Sequence, residues 1–298
     1  MSSSMVGSLI FNPSTINSGN INVSTPILLM LDGSELSTSI LGEGDAGDIS
    51  IDVSDRAIIR SSRLISSVEE NGVGNGGNIE LIAPVLRILD GTQITNNIFG
   101  TGNAGDIVLI GDSNILIRGE RNDSLLRSSV SSTVGVDAVG NGGNVEIRAP
   151  LVQVLDQATI NTRLEGQGNA GNITIVGGER ITLQGSRKRD ESRSAVLSNV
   201  VPNGVGSSGD INITAPVIQV LDGAEIDASA AGQGNAGNIV ISADQRVTFQ
   251  GTSETGIFPS SARSQMRTGG TGDGGNIDIT APVIQILDGA RLSASSFS

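Results

Sequence analysis

The sequence predicts an all-β fold, a single-stranded parallel β-helix (solenoid) of about nine coils with three short strands in each. The first observation behind this prediction is a recurrent phrase. "GNGGNIELIAPVLRILDG" begins at position 74 and returns in varied form at positions 140, 206 and 272. The second is composition, because 41 glycines accompany many Ile, Val and Leu residues while aromatic residues make up only 2%. This composition favours short strands joined by tight turns.

A second phrase interleaves with the first and defines the true repeat. It reads "GDAGDISI" at position 44, "GNAGDIVL" at 102, "GNAGNITI" at 168 and "GNAGNIVI" at 234. Aligned on one Asn or Asp, both phrases are versions of a unit of about 28 to 38 residues. We expect these anchor residues to form a ladder at a corner of the stack, with left-handed backbone angles. The nine anchors are Asn20, Asp48, Asn78, Asp106, Asn144, Asn172, Asp210, Asn238 and Asn276.

Apolar columns follow the anchors and predict the inward faces of the strands. The residues one and three positions after the anchor are apolar in all nine units and alternate with other side chains, as in a half-buried strand. The residue eleven positions after the anchor is also always apolar, and we expect it to be buried. That column comprises Leu31, Ile59, Leu89, Ile117, Leu155, Leu183, Leu221, Phe249 and Leu287. Because units this short cannot bury an apolar face alone, they must stack, and strict columns fit a coil better than a propeller blade.

Two polar columns mark the predicted corners. Five prolines are expected where no ladder N–H is needed, at Pro26, Pro84, Pro150, Pro216 and Pro282. Twelve residues after the anchor, Asp alternates with Arg or Gln. The members are Asp32, Arg60, Asp90, Arg118, Asp156, Gln184, Asp222, Gln250 and Asp288. We interpret this column as a turn whose alternation avoids stacked like charges. The competing interpretation is a row of carboxylates that binds Ca²⁺ or cleaves a sugar.

Composition narrows the chemistry that this chain can perform. The chain has no His and no Cys, which excludes Ser-His-Asp catalysis and zinc thiolates. We expect no catalytic residues, no cofactor and no metal, and structural calcium is a weak option because the glycines lack the β-roll spacing. A net charge of −13 argues against a nucleic-acid partner. An apolar run long enough to span a membrane is absent from the sequence, and the N-terminus lacks a convincing signal peptide.

The three longest interruptions of the pattern are expected to be loops, at about residues 119–139, 185–205 and 251–271. The second loop is the most charged segment of the chain. Its charged residues are Arg187, Lys188, Arg189, Asp190, Glu191 and Arg193. A solvated loop explains them most simply. The alternative is a recognition patch for an acidic glycan or a cell-surface protein, because loops on rigid scaffolds often bind partners.

The phrases "GNAGNITI", "GNGGNI" and "LDGA" together resemble the repeat region of filamentous-haemagglutinin-type large exoproteins of the cyanobacterial type. The resemblance covers about residues 16 to 298. It implies a right-handed β-helix, two-partner secretion through an outer-membrane transporter, and an extracellular or cell-surface location. The role it implies is non-enzymatic, structural and adhesive, in cell adhesion or aggregation. The haem role attached to some members does not transfer, because His, Cys and Tyr are absent.

Residues 1–298 are expected to form one repeat domain with an ill-defined start at residues 1–15. Both ends interrupt the pattern within a unit, so we expect a fragment of a longer array with a tendency toward end-to-end self-association. The alternative function is a carbohydrate-active β-helix enzyme, a polysaccharide lyase or hydrolase. Such an enzyme needs carboxylates that break the repeat at one place.

Overall fold

The computed structural model describes residues 5–7, 16–119, 127–185 and 192–296. Within these ranges all regular secondary structure is β-strand, and the strands pair in parallel in two sheets. An all-β fold with parallel sheets is therefore confirmed. The strands numbered here in chain order follow the repeat, because each unit supplies up to three of them.

The larger sheet contains the first and second strands of the units. Its fourteen strands among the described residues are β2 (Ile21–Leu31), β4 (Ile49–Arg60), β6 (Ile79–Ile82), β7 (Val85–Leu89), β9 (Ile107–Ile110), β10 (Asn114–Arg118), β12 (Val145–Leu155), β14 (Ile173–Gln184), β16 (Ile211–Thr214), β17 (Val217–Leu221), β19 (Ile239–Ser242), β20 (Arg246–Gln250), β22 (Ile277–Thr280) and β23 (Val283–Leu287). In four units, the first and second strands are continuous.

The smaller sheet contains the third strands. Its ten strands among the described residues are β1 (Met5–Gly7), β3 (Glu35–Ser37), β5 (Arg63–Ile65), β8 (Gln93–Thr95), β11 (Ser129–Val134), β13 (Thr159–Leu164), β15 (Ala195–Val200), β18 (Glu225–Asp227), β21 (Ser261–Arg263) and β24 (Arg291–Ser293). Their order in the sheet is their order in the chain. Each unit therefore lies between the units that precede and follow it.

The register confirms the first two predicted apolar columns. Ile21 pairs with Ile49, which in turn pairs with Ile79, and the alignment continues through all nine units. The column two residues further on is aligned in the same way, and from Ile49 to Ile241 both columns are buried in every unit. Removal of these branched side chains from water is the main favourable term in folding.

The third predicted column is wrong in five units. The aligned residue there is one position earlier, so Met30, not Leu31, pairs with Ile59. The aligned column is Met30, Ile59, Ile88, Ile117, Val154, Leu183, Val220, Phe249 and Ile286. The cause is a register shift at the proline corner, where Thr25 pairs with Val53 but Ile27 pairs with Arg56. Units with Pro turn this corner with one residue fewer than the interleaved units.

The interior has two apolar cores separated by a column of small polar side chains. The larger core lies between the two sheets, and the smaller one includes Ile40, Ile98 and Met266. The separating side chains bond to backbone groups of the glycine-rich corner, as when Ser198 donates to the Gly171 carbonyl at 2.9 Å and accepts from the Gly209 N–H at 2.9 Å. The polar column comprises Thr38, Ser66, Asn96, Ser132, Thr162, Ser198 and Ser264, all fully buried. These bonds satisfy backbone groups that would otherwise be costly to bury.

The long loops are shorter than the sequence predicts. Strands β11, β15 and β21 lie wholly within the segments assigned to the loops at 119–139, 185–205 and 251–271. Val130 aligns with Ile94 and Ile160, and this alignment gives the unit its third strand. Residues 120–126 and 186–191 of these loops lie outside the described residues.

Candidate functional site

The nine anchors form a continuous hydrogen-bonded ladder along one corner. The side-chain Oδ1 of each anchor accepts the backbone N–H of the next anchor, beginning with Asn20 and Asp48 at 2.9 Å. The eight bonds measure 2.6 to 3.0 Å. The expected left-handed backbone is wrong for the anchors, because none of them has a positive φ. That conformation belongs to the Asp of the "LDG" phrase, with φ of 51° to 53° in Asp32, Asp90, Asp156, Asp222 and Asp288.

A second ladder lies three residues before the first and was missed by the sequence analysis. It begins with Asn17, whose Oδ1 accepts the N–H of Asp45 at 2.9 Å, and it ends where Asn235 accepts from Asp273. The members are Asn17, Asp45, Asn75, Asn103, Asn141, Asn169, Ser207, Asn235 and Asp273. The signal was visible as the doubled Asn or Asp in "GNGGN" and "GDAGD".

Carboxylates in both ladders are separated by neutral side chains. Asp106 lies between Asn78 and Asn144, and the Asn144 Nδ2 donates to the Asp106 Oδ1 at 3.1 Å. Asp210 receives the same contact from Asn238 at 3.1 Å. An amide thus stabilises each of these charges, and like charges do not stack. The two ladders therefore fix the register between consecutive units at this corner.

The predicted Asp, Arg and Gln column is displaced by one backbone position, yet its side chains meet. Arg60 pairs in the sheet with Leu31 and Leu89, while its guanidinium lies 3.7 Å from the Asp32 carboxylate. The Gln184 amide donates to Asp222 at 2.7 Å. The corresponding contacts elsewhere are Arg118 to Asp90 at 4.0 Å and Gln250 to Asp288 at 2.7 Å. Solvent-accessible pairs of this kind contribute less than about 1 kcal/mol each.

Arg193 is the described member of the predicted recognition loop, and it is not a solvated loop residue. Its Nη2 lies 2.5 Å from the Glu225 carboxylate, and its guanidinium lies 4.4 Å from the centre of the Phe258 ring. Its side chain is 18% exposed. Arg187, Lys188, Arg189, Asp190 and Glu191 lie outside the described residues.

Arg193 belongs to a buried ionic cluster on the outer face of the smaller sheet. Glu225 and Asp227 lie on β18 and are 5% and 2% exposed. Arg193 and Arg263 both pair with Glu225, and Arg267 pairs with Asp227. Three guanidinium groups therefore surround two carboxylates, which leaves one positive charge in excess. The sequence signal was "EID", because β18 alone among the described third strands has acids on both sides of its central apolar residue, whereas β3 has a single acid, Glu35.

Burial controls the ionisation of this cluster. Loss of hydration raises the pKa of Glu225, and the nearby Asp227 raises it further, while the three arginines act in the opposite direction. Burial also lowers the pKa of Arg193, an effect that Glu225 opposes. A buried carboxylate with a raised pKa is a known feature of general acids, and it is also a feature of buried ion pairs without catalytic function.

Comparison of the chain with protein-family models, with curated proteins and with solved structures finds no match. In the described part of the chain, the structure contains no helix that could cross a bilayer. Groups of three or more acidic side chains placed to hold a metal ion are also absent from those residues.

Proposed function

We propose that the chain is a segment of a right-handed parallel β-helix that serves as a non-enzymatic, adhesive stalk in a secreted or cell-surface exoprotein. The observation that carries the proposal is the pair of side-chain ladders, which keep one register through nine successive units. A scaffold with the same contacts in every unit is suited to length and stiffness. Its right hand is the one that parallel crossover connections almost always adopt.

The dimensions of such a rod follow from strand spacing. Nine units at about 4.8 Å each give a length of about 40 Å. Each unit contacts chiefly its two neighbours, so the array can be extended without changing its interior. This additive construction supports a role in which the protein displays binding surfaces away from a cell.

The resemblance to filamentous-haemagglutinin-type exoproteins supports the location and the biological role. On that basis the parent protein is exported by two-partner secretion, with an outer-membrane transporter as its partner, and acts in cell adhesion or aggregation. A surface glycan or a cell-surface protein is the proposed ligand class. The repeat phrases that carry this resemblance are also those that build the two ladders.

One incubation with plant, algal and bacterial polysaccharides tests the proposal. Retention of the protein on a glycan and release of new reducing ends or unsaturated products are measured in the same tubes. Retention without release is expected for an adhesive stalk. If products are released and substitution of a single carboxylate abolishes that release, the protein is an enzyme and not an adhesive stalk.

A polysaccharide lyase or hydrolase is the second candidate, and the Glu225–Asp227 pair is the observation that favours it. These two carboxylates break the pattern of the smaller sheet at one place, and burial raises the pKa of Glu225 as a general acid requires. Their ion pairs with Arg193, Arg263 and Arg267 favour a structural role. The variants Glu225→Gln and Asp227→Asn in the release assay decide between the two.

A further inference from the structure

Turns of two lengths alternate along the corner that follows the third strand. In units with Pro, two residues connect the aligned strand positions, as Phe99 and Gly100 do between Ile98 and Thr101. In the interleaved units the connection has four residues. The four-residue turns are 69–72, 135–138, 201–204 and 267–270. Each long turn is closed by a backbone bond from its fourth residue to its first.

Alternation of long and short turns leaves a notch wherever a short turn lies between two long ones. The notch at Phe99 is a cleft of about 410 Å³ between turns 69–72 and 135–138. Its apolar lining comes from Phe99, Val73 and Val136. These side chains are 40%, 49% and 65% exposed, which is unusual for large apolar residues clustered on a surface.

Phe99 is held firmly within this notch. Its N–H donates to the Val68 carbonyl at 2.7 Å, and the next turn begins with a Gly135 N–H bond to Ile98 at 2.7 Å. A Cβ at Gly135 would lie 2.7 Å from the Phe99 Cδ1, so the ring rests directly on that glycine. A ring fixed by its support presents a preorganised binding surface.

Equivalent notches further along the corner lack an aromatic residue. Glu165 occupies the position of Phe99 between turns 135–138 and 201–204, and Ala231 occupies it between turns 201–204 and 267–270. In a chain with five Phe and no Trp or Tyr, an exposed Phe at this place is a local departure from the repeat. Repetition of the scaffold therefore does not explain it.

The charge of the cleft restricts its ligand. Glu70 and Asp137 contribute carboxylates to the lining, and no lining residue is basic. An anionic sugar would meet uncompensated repulsion here, whereas a cation would be attracted. Flat apolar rings such as Phe99 bind the less polar face of a sugar ring, and a few polar groups at the rim fix its orientation.

We propose that the Phe99 cleft binds an amino sugar, with the ring against Phe99 and the protonated amine toward Glu70 and Asp137. The proposal rests on the adhesive function proposed above and names a ligand class for it. It differs from the acidic glycan expected from the Arg187–Arg193 segment, because the charge of this cleft has the opposite sign.

Titration of the full chain with glucosamine, glucose and glucuronic acid at pH 6, followed by ligand-observed NMR, tests the proposal. We expect glucosamine to bind in the millimolar range, glucose at least about threefold more weakly, and glucuronic acid below detection. Phe99→Ala should weaken glucosamine binding at least about tenfold. Phe99→Leu should weaken it similarly, because that side chain stays apolar but loses the flat ring. Glu165→Ala in the next notch is the matched control and should bind as the wild type does.

Equal binding of the three sugars, or undiminished binding by Phe99→Ala with an unchanged circular dichroism spectrum, would overturn the proposal. The polysaccharide retention assay separates this failure from that of the adhesive function. If the protein is retained on a polysaccharide and Phe99→Ala does not change that retention, the adhesive function stands and the Phe99 cleft is not its binding site. If glucosamine binds but the protein is not retained on any polysaccharide, the cleft proposal stands and the adhesive function is contradicted.

Discussion

At the scale of single residues, the Asn and Asp side chains of the two ladders set the register between consecutive units. An Asn or Asp oxygen satisfies the backbone N–H of the next unit, and a shift by one residue would break that bond in every unit. Because the ladder places the side chains of consecutive units next to each other, two neighbouring carboxylates would repel. Asn78, between Asp48 and Asp106, serves this purpose.

Asn78→Asp should destabilise the protein through charge alone. Three consecutive carboxylates would then stack, and repulsion at this spacing costs about 1 kcal/mol for each pair in water. The free energy of unfolding should fall in low salt and recover in 1 M salt or below pH 4. Asn103→Asp is the matched control, because its neighbours Asn75 and Asn141 are neutral and the amide contact that it loses, to Asn75 at 3.4 Å, is long. A loss of equal size and equal salt dependence in the two variants would contradict this account.

Glu225 should make stability depend on pH in the direction opposite to most carboxylates. Its folded pKa is raised above the unfolded value near 4.5, so the folded state binds its proton more tightly. Stability from this group is full below pH 4.5 and is lost as pH rises through the folded pKa. Relative to Glu225→Gln, which does not titrate there, the wild type should lose unfolding free energy between pH 4 and 7 in urea titrations. A difference that is constant over this range would rule the effect out.

At the scale of elements, close approach between units decides which residues the corners accept. At Gly140, φ is 152° and a Cβ would lie 1.6 Å from the Gly102 carbonyl oxygen. The same close approach recurs at Gly74, Gly102 and Gly168. Glycine is required here by the neighbouring backbone and not only by its own φ, which is why the phrase keeps it.

Gly140→Ala should therefore cost more than about 3 kcal/mol, because the backbone of two units must separate. Gly269→Ala is the control, since φ there is 87° but nothing lies within 4 Å of the added Cβ. Only the left-handed conformation is penalised at Gly269, by about 1–2 kcal/mol. Chemical denaturation of both variants provides the comparison, and similar losses would show that steric contact between units is unimportant.

At the scale of the whole molecule, the contacts are almost entirely between consecutive units. The third strands follow chain order in the smaller sheet, and the two apolar cores run through successive units. Stability in such an array is close to a sum over units and their interfaces. The smallest repeating element of the array is a pair of one unit with Pro and one interleaved unit, because the corners of these two kinds of unit differ by one residue.

Deletion of residues 78–143, one such pair of 66 residues, should leave a folded protein. Gly77 is then followed by Asn144, the alternation of corners is preserved, and no two aspartates become neighbours in either ladder. The urea m-value should fall by about a fifth, in proportion to 66 of 298 residues. Deletion of 106–143 alone places two units with Pro together and should be clearly less stable. Equal stability of the two deletions would show that the alternation has no structural role.

The sequence by itself determined the all-β class, the length of the unit and the two inward columns that follow each anchor. These features are local, because periodicity and turn residues are written in each unit without reference to its neighbours. Ile21, Ile49 and Ile79 are aligned as the pattern predicts. The anchors also lie on one line, and their pattern was sufficient to identify them.

Only the tertiary structure decided the features that depend on how one unit meets another. The register shift at Pro26 moved the buried position from Leu31 to Met30, and nothing in either unit alone reveals it. The contacts of Arg193 with Glu225 and Phe258, and the cleft at Phe99, join segments of different units. Burial, ionisation and cavity shape arise from packing across units, so a one-dimensional pattern specifies the scaffold but not the sites upon it.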